Sequence, residues 1–207
     1  MSFSAFLVAA VLLAITPGPG IAYVVARTVA GGRVEGFASA IGTSLGGLVH
    51  VFAAAVGVSV ILAQSAFAFT VVKYLGAAYL VFLGVRLLLA GRRVSAASMP
   101  VVRGAARALA EGVIVEVFNV KTALFFLAFL PQFVDPVSAV APQLIVLGVI
   151  CVTLNTAADV FAILLADQLV RSTSARNRRV QWLNRVSGCV MVVLGAYLAL
   201  TKRAEAA

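Results

Sequence analysis

The chain has 207 residues, 63% hydrophobic and 11% charged, with 16 Lys and Arg against 7 Asp and Glu and a formal net charge of +9. A mean hydropathy of +1.11 is more apolar surface than a soluble domain of this length can bury, which excludes a water-soluble enzyme and points to an integral membrane protein. The basic residues fall in alternate connections, so the charge reads as the positive-inside bias and not as a nucleic-acid surface.

Crossing a bilayer takes about 20 apolar residues per helix, and the sequence predicts six such spans in one membrane domain covering residues 1–207: Phe3 to Ala26, Phe37 to Ala63, Ala66 to Leu89, Ala108 to Val134, Gln143 to Leu165 and Leu183 to Leu200. The first lacks a basic flank and carries Thr16-Pro17-Gly18-Pro19 where a cleavage site would stand, so it is expected to stay in the membrane and not to be removed as a signal peptide. Pro17 and Pro19 remove two N–H donors and push the residues before them out of the helical region. Broken backbone at membrane depth occurs where protein buries it or where it lines a polar cavity, so this break is the first pointer to a binding site.

The second span carries Ala38, Gly42 and Gly46 at four-residue spacing, a stripe that lets another helix approach. Its His50 is expected to make an interhelical hydrogen bond. The third holds Leu75-Gly76-Ala77-Ala78-Tyr79-Leu80 and is followed by a polar connection of about residues 91–107. The fourth carries Glu116, Asn119 and Lys121 around a second polar interruption, then Phe125, Phe126, Phe129 and Phe133. On the fifth, Asn155 and Asp159 share a helix face. Cys151 and Cys189 lie within the fifth and sixth spans, where a free cysteine packs as a small apolar residue.

Two features suggest duplication. Leu194-Gly195-Ala196-Tyr197-Leu198 of the sixth span resembles Leu75-Gly76-Ala77-Ala78-Tyr79-Leu80 of the third apart from one alanine, and the interruption at Phe118-Asn119-Val120-Lys121 is the positional counterpart of the one at Thr16. Repeats of about residues 1–90 and 108–207, three helices each, must enter the membrane in opposite senses, which gives an all-α fold of two inverted-topology halves with helices 1 and 4 interrupted. Arg27 and Arg33 lie in the first connection, Arg86, Arg92, Arg93, Arg103 and Arg107 flank the third, and Arg171, Arg176, Arg178, Arg179 and Arg185 flank the fifth. These charges put both termini outside the cytoplasm, with Lys202 and Arg203 dissenting.

Ionisable groups at this depth are expensive and face a cavity or a partner. Lys121 is therefore the expected partner of a substrate carboxylate, with the free N–H groups after Gly18, and Asp159 or Glu116 the ammonium partner or proton carrier. The alternative is that Glu116 and Lys121 neutralise each other and that Asn155 and Asp159 serve a structural hydrogen bond. No metal or cofactor site is expected, and the glycine stripes would permit a homodimer.

Taken together, Thr16-Pro17-Gly18-Pro19, Gly42 with Gly46, Gly76-Ala77-Ala78-Tyr79-Leu80, and Asn119-Val120-Lys121-Thr122-Ala123 followed by Phe125-Phe126 and Leu130-Pro131-Gln132-Phe133 resemble the LysE/RhtB amino-acid exporters of bacterial inner membranes over nearly the whole chain. The resemblance implies export of amino acids or close derivatives driven by proton-motive force, and carries a site role onto Thr16, Pro17, Gly18, Pro19, Asn119 and Lys121. Val120 stands where the family's fourth-helix motif has proline, so the second break is expected to be softer than the first or held by Asn119 alone. Competing readings are export of a metal ion or other small solute by the same superfamily, and a membrane thiol-disulfide carrier. Basic, aliphatic and hydroxylated amino acids all stay open as substrates, with the lack of an acidic cluster against a dibasic one.

Overall fold

In the computed structural model, residues 2–64, 66–89, 102–135, 137–170 and 173–200 are described, and these are helices joined by short connections, with no strand among them. Arg92, Arg93, Arg171, Lys202 and Arg203 lie outside the described residues, as does the connection up to residue 101.

α1 (Phe3–Ile15) opens on Ser2, whose hydroxyl accepts from the Ala5 N–H. It ends because Pro17 forces Thr16 into extended backbone, φ −74° and ψ 112°. α2 (Pro19–Gln64) begins with proline at its first position, where the missing donor costs nothing. It turns at Gly32, whose φ of 72° favours glycine, so 19–31 and 33–64 form two arms. α3 is Ala66–Leu89 and α4 Ala105–Val117. After a break at Phe118 and Asn119, α5 (Val120–Leu124) runs into a π-helical turn at Phe125–Phe129 and a 3₁₀ turn at Leu130–Phe133. α6 (Val140–Val170) and α7 (Thr173–Leu200) complete the chain.

The second break stands without a proline. Asn119 caps α5, its Oδ1 accepting from the Lys121 N–H at 3.2 Å, and the helix axes on either side differ by 44°. Val120 falls at the first helical position, where valine's N–H has no helical partner to lose, so an asparagine cap breaks the helix there without proline.

Among the described residues, Pro19–Val58 and Val140–Ala166 are long and apolar enough to cross a membrane, and the bent pair Ala105–Val117 and Val120–Phe133 makes a third. The apolar helices Phe3–Ile15 and Gly188–Leu200 are shorter. Val8, Phe52, Leu75, Phe82 and Phe161 point outward and are each more than half exposed, whereas Glu116, Lys121 and Asp159 are buried. Apolar outside and charged inside is the distribution that hydrocarbon solvent demands.

The second arm of α2 is the central element. It runs parallel to α4, with Gly42 against Leu109 and Gly112 and Gly46 against Val113 and Val117. It runs antiparallel to α6, with Gly36 against Ile163, Gly47 against Val152 and Val51 against Gly148. α3 lies antiparallel on α7, Ala77 meeting Gly195 and Gly84 meeting Gly188. The small-residue stripe thus serves packing, as expected: a Cβ on Gly42 would stand 2.2 Å from the Leu109 carbonyl oxygen. The aromatics after the second break turn into the core, where Phe125 stacks on Phe129 with ring centroids 4.9 Å apart and Phe133 packs on Phe6. Cys151 is buried on α6 and Cys189 exposed on α7, so the two thiols occupy different environments.

Candidate functional site

The two helix breaks meet, and Lys121 of the second bonds to carbonyls of the first. Lys121, only 8% exposed, donates from Nζ to the Thr16 carbonyl at 2.8 Å and to the Leu13 carbonyl at 3.1 Å. These carbonyls lie at the end of α1, that of Thr16 at the cap and that of Leu13 shared with the Thr16 N–H at 3.3 Å, where the helix dipole favours a cation. Gly18 leaves room for the ammonium: a Cβ there would approach both Nζ and Cε to 3.1 Å.

Glu116 takes the complementary place. Its carboxylate lies beside the start of α2, so that a Cβ on Gly20 would come within 2.6 Å of Oε2. Asn119 fixes it, because Asn119 Oδ1 is committed to the Lys121 N–H and Nδ2 must therefore donate, reaching Glu116 Oε2 at 3.0 Å. Thr122 Oγ1 lies 2.6 Å from Oε1, and His50 Nε2 meets the Glu116 carbonyl at 2.8 Å, the interhelical bond expected of that histidine. No ion pair joins Glu116 and Lys121; one faces the negative end of α1 and the other the positive end of α2.

Between these groups and the α2–α6 contact lies a cavity onto which Gly20, Ile21, Asn119, Lys121 and Glu116 open from one side. From the other side come Thr43, Ser44, Asn155, Thr156 and Asp159. Asp159 is 5% exposed and its Oδ2 accepts from Thr43 Oγ1 at 2.9 Å. The cavity offers about 30 Å³ to the centre of a water molecule, room for one or two waters. Cation, two carboxylates and an open helix N-terminus around one cavity suit a zwitterion.

The model of the LysE type translocator family matches residues 11–202. The chain belongs to this family. It is similar to an uncharacterized membrane protein of Vibrio cholerae, 31% identical with 96% of each chain covered. It is 26% identical to the homoserine/homoserine lactone efflux protein of Salmonella typhimurium, over 97% of each chain. With the leucine efflux protein of Klebsiella pneumoniae it shares 29%, over 96% of this chain and 95% of that one. No solved structure matches it. The protein is a membrane translocator and not an enzyme.

In this LysE-type translocator the break residues divide their work. Pro17 and Pro19 shape the backbone, Thr16 offers a carbonyl, Gly18 offers space, and Asn119 and Lys121 reach the cavity itself. Glu116, Asn155 and Asp159 line it too. Sequence reasoning passed over Thr43, Ser44 and Thr156, and quoted Thr122 within the fourth-helix motif without giving it a site role. Their signal is faint, since hydroxyls bonding back to their own helix are ordinary in membrane spans, but Thr43 and Ser44 sit inside the Gly42–Gly47 run and Thr122 and Thr156 adjoin charged or amide positions.

A second polar layer begins toward the arginine-rich end, about 5–8 Å along the helices from Gly20 and Glu116 at 1.5 Å per residue. Tyr23 donates to the Ala108 carbonyl at 3.0 Å and lies 3.2 Å from Glu111, which also pairs with Arg103 and Arg107. Buried Glu35 pairs with Arg27 and accepts the N–H groups of Arg103 and Gly104 at 2.9 and 2.7 Å. Both carboxylates tie the first arm and turn of α2 to the entry of α4.

Proposed function

We propose that this protein is a secondary active exporter of small amino acids or close derivatives across the bacterial inner membrane, working by alternating access and coupled to protons. The observation that carries this reading is the meeting of Lys121, the open N–H groups of Gly20 and Ile21, Glu116 and Asp159 around one cavity. A substrate carboxylate takes the third N–H of Lys121 and the α2 N-terminus, for two of the three ammonium donors are used on α1. The substrate ammonium faces Asp159, whose single bonded hydroxyl leaves acceptor capacity, while Glu116 is held on both oxygens. Asp159 is accordingly the group that exchanges a proton during the cycle.

The chain is read as one domain of six spans, with both termini outside the cytoplasm. Parallel packing of α2 on α4 and antiparallel packing of α2 on α6 and α3 on α7 are the directions that two inverted three-helix halves require. The layer of Tyr23, Glu35, Arg103 and Glu111 then closes the cytoplasmic side. A cavity this small is a closed form, which widens to admit substrate when that layer parts. The relatives named as homoserine/homoserine lactone and leucine efflux proteins support amino-acid export. A disulfide carrier finds no support in a core thiol and a surface thiol on different helices.

The test is an efflux screen. Cells stripped of their own exporters, with and without this protein, are loaded with a panel of dipeptides and the amino acids released are quantified. Faster release of one or a few amino acids is expected. No release from a protein shown to be inserted in the membrane overturns the reading and turns the search to metal ions and other solutes.

A further inference from the structure

Resting on the amino-acid reading above, we propose that Ser44, Asn155 and Thr156 are the side-chain end of the site, and that they select a small substrate bearing a hydroxyl or an equivalent hydrogen-bonding group over an aliphatic one. The charged groups that hold the α-ammonium and carboxylate come from α4, α5, the start of α2 and Asp159. What is left for the substrate's own side chain is the wall that α2 and α6 build together.

That wall is polar and incompletely paired. Ser44 Oγ and Thr156 Oγ1 approach each other across the two helices at 2.5 Å. Each also lies within bonding distance of the carbonyl four residues back, Ser44 of Ala40 at 2.9 Å and Thr156 of Val152 at 2.8 Å. Two hydroxyls carry two protons for these three contacts, so one contact always lacks its hydrogen and the pair keeps lone pairs to spare. Both carbonyls are already served by their helices, so either hydroxyl turns toward a new partner at little cost. Asn155, half-buried beside them, lines the cavity and makes no side-chain hydrogen bond with the described residues. Its amide therefore offers two donors and two lone pairs to an occupant.

Space is scarce at the same place. Val152 closes on Gly47 so tightly that a Cβ on the glycine would meet a valine methyl at 3.0 Å. A branched aliphatic side chain would have to push these helices apart and would leave the Asn155 amide dry and without a partner, while the hydroxyl pair keeps only its bonds within the wall. A substrate hydroxyl instead accepts from Asn155 and donates to the Ser44–Thr156 pair. Sites built to bond a hydroxyl discriminate strongly against analogues that lack it, because their own polar groups are then stranded.

The experiment compares export by the intact protein of homoserine, threonine and serine with that of alanine, valine and leucine, released at matched internal concentrations from dipeptide-loaded cells. Hydroxylated substrates are expected to leave at least about tenfold faster than aliphatic ones of similar size. In a Ser44→Ala, Asn155→Leu, Thr156→Val variant that ratio is expected to collapse, and Thr156→Ser alone is expected to retain it. Equal or faster export of the aliphatic amino acids by the wild type overturns the inference and leaves the exporter reading intact. So does a properly inserted triple variant that keeps the preference, or a Thr156→Ser variant that loses it. Release of no amino acid at all overturns both.

Discussion

Replacing Lys121 by methionine separates its two tasks. The ammonium is buried and makes two charge-assisted bonds to the Leu13 and Thr16 carbonyls, each worth about 1.5–3 kcal/mol. Against that gain of about 3–6 kcal/mol stands a desolvation cost of several kcal/mol for taking the ion out of water. The terms nearly cancel, and methionine keeps the stem packed beside Gly18. Lys121→Met should therefore change the stability of the detergent-solubilised protein by no more than about 2 kcal/mol. Export should suffer far more, since removing one partner of a desolvated charge pair costs about 2–5 kcal/mol. At about 1.4 kcal/mol per decade that is a loss of at least about 30-fold in initial rate at subsaturating substrate. The assay pairs release from dipeptide-loaded cells, normalised to protein in the membrane, with thermal unfolding of the purified variant. Export at the wild-type rate refutes a contact with substrate. Loss of fold and export together assigns Lys121 to holding the first break and not to binding.

Other outcomes follow from the same geometry. Gly42→Ala drives a Cβ into the Leu109 carbonyl and should destabilise by about 1–3 kcal/mol. Gly57→Ala on the same helix meets nothing within 4 Å and should be neutral or stabilising by up to about 1 kcal/mol; unfolding midpoints of the pair check the close α2–α4 crossing. Glu35→Gln removes the charge opposite buried Arg27 and should cost about 3–5 kcal/mol, read as a lower unfolding midpoint and poorer recovery from membranes. Asp159→Asn should still let substrate run down its own gradient but abolish accumulation driven by an imposed proton gradient in proteoliposomes. Uphill export by that variant rules Asp159 out as the proton carrier.

Much of the site was legible because its signals are local. Two prolines around Gly18 break a helix whatever surrounds them, and Asn119 caps α5 through an atom two residues away. Charged residues inside apolar spans announce themselves by their cost, and Glu116, Lys121 and Asp159 do line one cavity. Val120 was less transparent. A valine in the place of proline left two outcomes open, a softer break or one held by Asn119 alone, and the asparagine cap with its 44° bend is the second, because that position asks for no particular residue once its N–H is unpaired anyway.

By itself the sequence determined a helical membrane protein, the places where its helices break, and which costly residues had to be gathered, for each depends on composition, proline chemistry or the length of an apolar run. Which partner each group meets was decided only by tertiary packing. That Lys121 serves the end of α1 and Glu116 the start of α2, and not each other, depends on the approach of α4 to α2 allowed by Gly42, Gly46 and Gly112. The hydroxyl pair of Ser44 and Thr156 likewise joins residues 112 positions apart. Such contacts are set by how helices cross within a few ångströms, and periodicity along one chain carries no record of that.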